Sequence, residues 1–196
     1  MNYILKLLIF ISFLLLLPVI FVAMLMVLIE DGFPALFIQE RLGKNKKIIR
    51  IYKIRTMKNN TPNLGTHEIN SSHILKTSKI IRNLKIDELP QVVNYLKADI
   101  NLIGPRPGLP NQHELIKYRE KEGIYSITPG ITGLSQVLGY DMSNPELLSK
   151  IDNLYIENKS LKLDAIIFFS TFIPFLRENL RILFHSKIKD INNKLI

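Results

Sequence analysis

The sequence predicts an α+β chain, mostly helical, with a small β-hairpin, an N-terminal membrane helix and amphipathic interfacial helices at its C-terminus. Three observations carry this. They are an uncharged apolar run near the N-terminus, a basic β-like stretch interrupted by one turn, and apolar residues at helical spacing near Leu89 and again near Leu180. With 196 residues, the chain has room for one soluble core beside the apolar run. The absence of cysteine excludes disulfide scaffolds, thiolate zinc sites and cysteine nucleophiles, leaving chemistry to His, Asp, Glu and hydroxyl groups. A hydrophobic share of 47% and a net charge of +9 are reconciled if the two are segregated along the chain.

The first element is the apolar run. From Leu7 to Ile29 every residue is Ala, Val, Ile, Leu, Met or Phe except Ser12 and Pro18. A straight helix of that length reaches roughly 35 Å, enough to cross a hydrocarbon core of about 30 Å. The run is longer than a signal-peptide core and is followed by Glu30-Asp31-Gly32-Phe33-Pro34, not by a small-residue cleavage site. Pro18 removes one backbone hydrogen bond and clashes with the preceding turn, so the helix should bend there. Two topologies are open: a kinked helix that spans, or a re-entrant one whose ends share one face. Arg41, Lys44, Lys46 and Lys47 outnumber Lys6, which puts the residues beyond 30 on the cytoplasmic side. The expected organisation is a membrane helix over 1–30 broken at Pro18, a cytoplasmic domain over 31–164, and an interfacial helix with a basic tail over 165–196.

Between Arg41 and Arg82 stand eleven Lys or Arg residues and one acidic residue, Glu68. Such a stretch suits anionic headgroups or a phosphate pocket. Nucleic acid is not expected, because the stretch has Tyr52 as its one aromatic and no helix-turn-helix or zinc-finger pattern. Within it, residues 35–41 and 48–57 read as strands joined at Gly43-Lys44-Asn45. Residues 59–72 are rich in turn formers and are expected to be a mobile loop able to close over a ligand. Leu89, Val92, Val93 and Leu96 then repeat at helical spacing, with Asp87 where an N-cap belongs and Pro90 in the first turn.

Two rigid loops come next. Gly104-Pro-Arg-Pro107 holds Arg106 between prolines, a fixed mount for a side chain suited to bidentate phosphate binding. Pro129-Gly-Ile-Thr-Gly133 is a turn whose glycines let backbone approach closely. His67, His73, His113 and His185 lack metal-site spacing and read as ordinary histidines. Residues 165–176 are apolar but too few to span. Beyond them Leu180, Leu183 and Phe184 share a helical face near Arg177, Arg181 and Lys187, the pattern of a helix lying in the headgroup plane, with a buried domain helix as the alternative.

Taken in order, the apolar helix with its proline, Gln39-Glu-Arg-Leu-Gly43, Tyr52-Lys-Ile-Arg-Thr-Met57, Arg82 ahead of Asp87-Glu-Leu-Pro-Gln91, Gly104-Pro-Arg-Pro107 and Pro129-Gly-Ile-Thr-Gly133 form a constellation. It resembles the bacterial sugar transferase family, small monotopic polyprenyl-phosphate phosphoglycosyl transferases, over roughly residues 5–175.

The resemblance implies transfer of a sugar 1-phosphate from a UDP-sugar to undecaprenyl phosphate on the cytoplasmic face of the bacterial inner membrane. UMP is released and Mg²⁺ is required. Asp87 would be the nucleophile, forming a covalent phosphosugar and bearing on the metal. Glu88 would serve the second half-reaction, and Arg82 and Arg106 would bind phosphate. The implied partners are UDP-sugar, undecaprenyl phosphate and membrane lipid, and a homodimer is compatible. The resemblance also implies a re-entrant first helix. Four positions depart from the family pattern: Leu17 stands where serine usually precedes the proline, Thr128 where arginine precedes Pro129, and Leu134-Ser135 where Trp-Ala follows Gly133. The competing reading is a non-catalytic anchored module with a basic lipid- or partner-binding face, for which Asp87 and Glu88 would be dispensable.

Overall fold

The computed structural model describes residues 3–61 and 70–193, and its architecture is the expected one of many helices and one small hairpin. The chain forms two compact units, one of Met1–Glu40 with Arg50–Ala98 and one of Arg41–Ile49 with Asp99–Ile196. The expected loop at 59–72 falls largely on residues 62–69, which include His67 and lie outside the described residues.

In the first unit, α1 (Tyr3–Asp31) is helical throughout, with Pro18 inside it. Among the described residues it is the one helix long and apolar enough to cross a membrane. Its C-terminal half is also part of the body. Ile20, Ala23 and Val27 are buried against Ala35, Ile54, Leu75 and Ile81. At about 1.5–3 kcal/mol per buried aliphatic side chain, these contacts attach the helix firmly to the polar body of its unit. Gly32, at φ +68°, ends the helix in the left-handed conformation and donates its N–H to Leu28 O at 3.0 Å. Arg55 completes this end: its guanidinium pairs with Asp31 Oδ2 at 2.5 Å and donates to the carbonyls of Asp31 and Gly32.

The hairpin strands β1 (Leu36–Leu42) and β2 (Ile48–Ile54) match the expected pair within a few residues. The turn between them is tighter than Gly43 alone would make it, because Asn45 and Lys46 both take positive φ. Met57, expected in the second strand, instead makes an isolated bridge with Ile74. α2 (Ser78–Asn83) comes next, then a 3₁₀ turn over Ile86–Gln91 and α3 (Val92–Leu96).

Here the sequence expectation needs correction. Asp87 is not an N-cap. The turn opens at Lys85, which is left-handed at φ +57°, and Asp87 lies inside it. Pro90 has no N–H for an i→i−4 bond, so the chain takes the tighter 3₁₀ winding before α-helix begins at Val92.

The second unit pairs β3 (Asn101–Ile103) with β4 (Gly130–Thr132) in parallel, in register Asn101 with Gly130 and Ile103 with Thr132. Around them stand α4 (His113–Lys121), α5 (Leu134–Leu138), α6 (Pro145–Glu157), α7 (Leu161–Ser170) and α8 (Pro174–Asn193). Asn144 and Ser160 cap α6 and α7 by accepting the N–H groups of Leu147 and Leu163.

Leu180 and Phe184 of α8 are buried in this unit's core with Ile151, Tyr155 and Ile167, so they do not face a membrane with Leu183 as expected. The hydrophobic stripe meets protein because α5, α6 and α7 already offer an apolar surface to it. Leu183 is exposed, with Phe172, Phe175 and Ile182.

Candidate functional site

In the first unit, the end of β2 and the segment just after it, α2 and the 3₁₀ turn carry Lys53, Thr56, Arg82, Asp87 and Glu88. Arg82 lies in the last turn of α2, and its Nε and Nη2 both donate to Thr56 Oγ1, at 2.9 and 2.8 Å. Two bonds to one hydroxyl fix the plane of the guanidinium. Thr56 is itself buried beside Arg55, which grips the end of α1, so the arginine is referenced to α1 through two adjacent residues.

Lys53 Nζ lies 3.6 Å from Glu88 Oε1, and both side chains are largely withdrawn from solvent. The strand that bears Lys53 is held by α3. Asn94, wholly buried, accepts the Tyr52 N–H and donates to Arg50 O, acting as a strand partner built from a side chain.

Asp87 is the unusual group. Its Oδ1 is buried with no hydrogen-bond partner. Burial raises its carboxyl pKa and neighbouring Glu88 raises it further, while Lys53, Arg82 and Lys85 pull it back. A buried, unsatisfied carboxylate oxygen is costly to keep and points to a group held ready for another partner. Two adjacent carboxylates, one with a free oxygen, also fit a small hard cation. Mg²⁺ commonly takes one or two carboxylates and completes its shell with water and phosphate oxygens. Among the described residues no cluster of three or more His, Cys, Asp or Glu side chains offers a protein-only metal cage.

Arg106 belongs to the second unit, in the loop after β3. That loop is locked to the Pro129–Gly133 turn. Gly104 N–H donates to Thr132 O and Gly130 N–H to Pro105 O, each at 3.0 Å. A Cβ at Gly130 would stand 2.1 Å from Gly104 N, and one at Gly133 would stand 2.3 Å from Gly104 O, so both glycines are required by close backbone approach. The Arg106 carbonyl accepts from Arg119 Nη1 at 2.7 Å.

Of the residues expected from sequence, the first unit thus brings together Arg82, Asp87 and Glu88 with Lys53 and Thr56, and the second unit holds Arg106. Lys53 and Thr56 stand inside the quoted Tyr52–Met57 motif, yet nothing in the sequence assigns them to the dyad. Among the described residues His73, His113 and His185 join no cluster of three or more metal-ligating side chains.

A family model described as bacterial sugar transferase matches residues 2–178. A UDP-N-acetylgalactosamine-undecaprenyl-phosphate N-acetylgalactosaminephosphotransferase of Aeromonas hydrophila is 35% identical over 164 residues, 79% of this chain and 38% of that protein. A UDP-glucose:undecaprenyl-phosphate glucose-1-phosphate transferase of Caulobacter vibrioides is 35% identical over 126 residues, 62% of this chain and 47% of its own. An undecaprenyl-phosphate galactose phosphotransferase of Salmonella typhimurium is 32% identical over 160 residues, 72% of this chain and 33% of its own. The chain therefore spans less than half the length of each of these three relatives.

Proposed function

This chain belongs to the bacterial sugar transferase family, and from that premise we propose that it moves a sugar 1-phosphate from a UDP-sugar to undecaprenyl phosphate, the first step in building a surface glycan. The observation that carries the proposal is the buried Asp87 oxygen without a partner, beside Glu88, Lys53 and Arg82. In the proposed route an Asp87 carboxylate oxygen attacks the phosphorus that bears the sugar. The bond from that phosphorus to the bridging oxygen breaks, and UMP departs with the oxygen and its electron pair. A phosphate oxygen of undecaprenyl phosphate then attacks the aspartyl phosphosugar, and the Asp87 carboxylate is restored as the lipid diphosphate-sugar leaves.

Arg82, held in plane by Thr56, is set to stabilise charge on the transferred phosphoryl group, and Arg106 is proposed as a further phosphate ligand. Glu88, paired with Lys53, is proposed to orient or deprotonate the acceptor phosphate. Asp87, with Glu88 beside it, would hold Mg²⁺, which when bound screens the diphosphate from the approaching carboxylate.

The reading places the protein at the inner membrane with its polar body on the cytoplasmic face and α1 re-entrant. Two contacts support re-entry. Near one end of α1, Lys6 Nζ donates to Leu96 O at 3.2 Å. At the other end, the Glu30 carboxylate accepts the N–H groups of Lys76 and Thr77. A straight helix would hold Lys6 and Glu30 about 36 Å apart, and both are tied to residues of the same unit. A bend at Pro18 would shorten that span. The exposed Phe172, Phe175, Ile182 and Leu183 are proposed to meet the lipid as a second contact.

The test is UMP release by purified protein given undecaprenyl phosphate, Mg²⁺ and, in turn, UDP-N-acetylgalactosamine, UDP-glucose and UDP-galactose. Wild type should turn over at least one donor and Asp87→Asn none. Acid-stable sugar-phosphate label trapped on wild type but not on Asp87→Asn checks the covalent step. Folded wild type that releases no UMP from any donor would favour an anchored binding module instead.

A further inference from the structure

In the second unit the loop that bears Arg106 is held by its carbonyls. Pro105 and Pro107 supply no N–H, so at these residues the loop can be held only through its carbonyls. Three in succession are taken: Arg106 O by Arg119 Nη1 at 2.7 Å, Pro107 O by Arg41 Nη1 at 3.1 Å, and Gly108 O by Leu42 N–H at 2.9 Å. Arg119 and Asp152 form an ion pair at 2.5 Å whose side chains are each 2% exposed. Ser135 Oγ donates to the other Asp152 oxygen at 2.7 Å, so the carboxylate is bonded on both sides.

A buried ion pair is a poor device for stability alone, since well-packed apolar side chains of similar volume do as well or better. An apolar pair could not donate to the Arg106 carbonyl. Nor could lysine serve both acceptors in this geometry, because its ammonium is a point charge and not a planar fork. Burial, together with the like charges of Arg106 and Arg119, pushes Arg41 down to about 9, so the three arginines stand near one another.

We propose that Arg119, oriented by Asp152 and Ser135, is a positioning residue that fixes the Arg106 peptide and thereby aims the Arg106 guanidinium at phosphate. The inference rests on the reading of Arg106 as a phosphate ligand.

The test uses the full chain in lipid nanodiscs, inorganic pyrophosphate as the probe, calorimetric Kd as the readout and circular dichroism to verify folding. Arg106→Ala should weaken pyrophosphate binding about tenfold, the value of a lost charge-assisted contact. Arg119→Lys keeps the charge against Asp152 but gives up the bond to Arg106 O, and should weaken binding about fivefold in folded protein. Ser135→Ala frees one side of Asp152 and should weaken it about twofold to threefold. A role confined to stability lowers the melting temperature of Arg119→Lys and leaves Kd unchanged, and that result overturns the proposal. If Arg119→Lys does not fold, an unchanged Kd for Ser135→Ala overturns it equally. Wild-type Kd in Arg106→Ala would instead remove the underlying reading, and the two failures are distinguished by which variant keeps its affinity.

Discussion

Replacing Gly130 by alanine adds one methyl group where the structure has no room for it. The new Cβ would lie 2.1 Å from Gly104 N and 2.6 Å from the Ile103 carbonyl carbon. Both are backbone atoms of β3 and the loop after it, so no rotamer change relieves the clash. Reaching ordinary contact at 3.4 Å requires the two segments to separate by at least about 1.3 Å. The bonds from Asn101 N–H to Pro129 O at 2.8 Å, Gly104 N–H to Thr132 O at 3.0 Å and Gly130 N–H to Pro105 O at 3.0 Å would then all exceed hydrogen-bonding distance. Three buried bonds at about 1 kcal/mol each amount to roughly 2–4 kcal/mol. For a chain of this size that lowers the melting temperature by about 5–15 °C. Thermal melts followed by circular dichroism in one detergent, wild type beside Gly130→Ala, measure it. A melting temperature within 2 °C of wild type would refute the close packing of the two loops, and with it the account of how Arg106 is mounted.

Three further outcomes are expected. Thr56→Val keeps shape but removes the acceptor shared by Arg82 Nε and Nη2, and kcat/KM for UMP release should fall about tenfold with little change in fold. An unchanged kcat/KM would detach Arg82 from the chemistry. Asp87→Asn should melt higher than wild type at neutral pH while losing turnover. The folded-state carboxyl pKa is raised, chiefly by burial, so the native chain binds the proton more tightly than the unfolded one, and ionised Asp87 costs stability above that raised pKa. The advantage of Asn should therefore shrink as pH falls through the raised pKa and vanish below the ordinary value of 3.8. A lower melting temperature for Asp87→Asn at pH 7 would contradict the strained carboxylate. The chain has no cysteine, so single cysteines at Tyr3 and Asn60 can be labelled from one side of sealed vesicles. A re-entrant α1 gives labelling of both from the same side, whereas opposite sides mean that α1 spans.

Much of the fold is written locally. The apolar run, the β-branched stretch around Ile48–Ile54 and the turn at Gly43–Asn45 can each be read from consecutive residues, because helix, strand and turn are set by neighbours a few positions apart. Asp87, Glu88, Arg82 and Arg106 stood out for the same reason, as chemistry-bearing side chains in fixed spacing. Two local readings did not survive contact with the rest of the chain. A cap at Asp87 was outweighed by the left-handed Lys85 and by Pro90, which together close a tighter turn. The stripe of Leu180 and Phe184 read as membrane-facing because helical periodicity reports that one face is apolar, and not what covers it.

By itself, then, the sequence determined the family, the long apolar N-terminal helix and the identities of the candidate site side chains. Only the tertiary structure decided what each of them leans on: Thr56 under Arg82, Asn94 against β2, and Arg119 with Asp152 beneath the Arg106 peptide. The partners in these pairs lie 13 to 44 residues apart. Such contacts leave no periodic mark, since a hydrogen bond between distant segments depends on where the packed chain brings a carbonyl or a carboxylate and not on spacing along it. The same holds for the withdrawal of Asp87 from water, which the packing of its neighbours imposes and no residue beside it in sequence encodes.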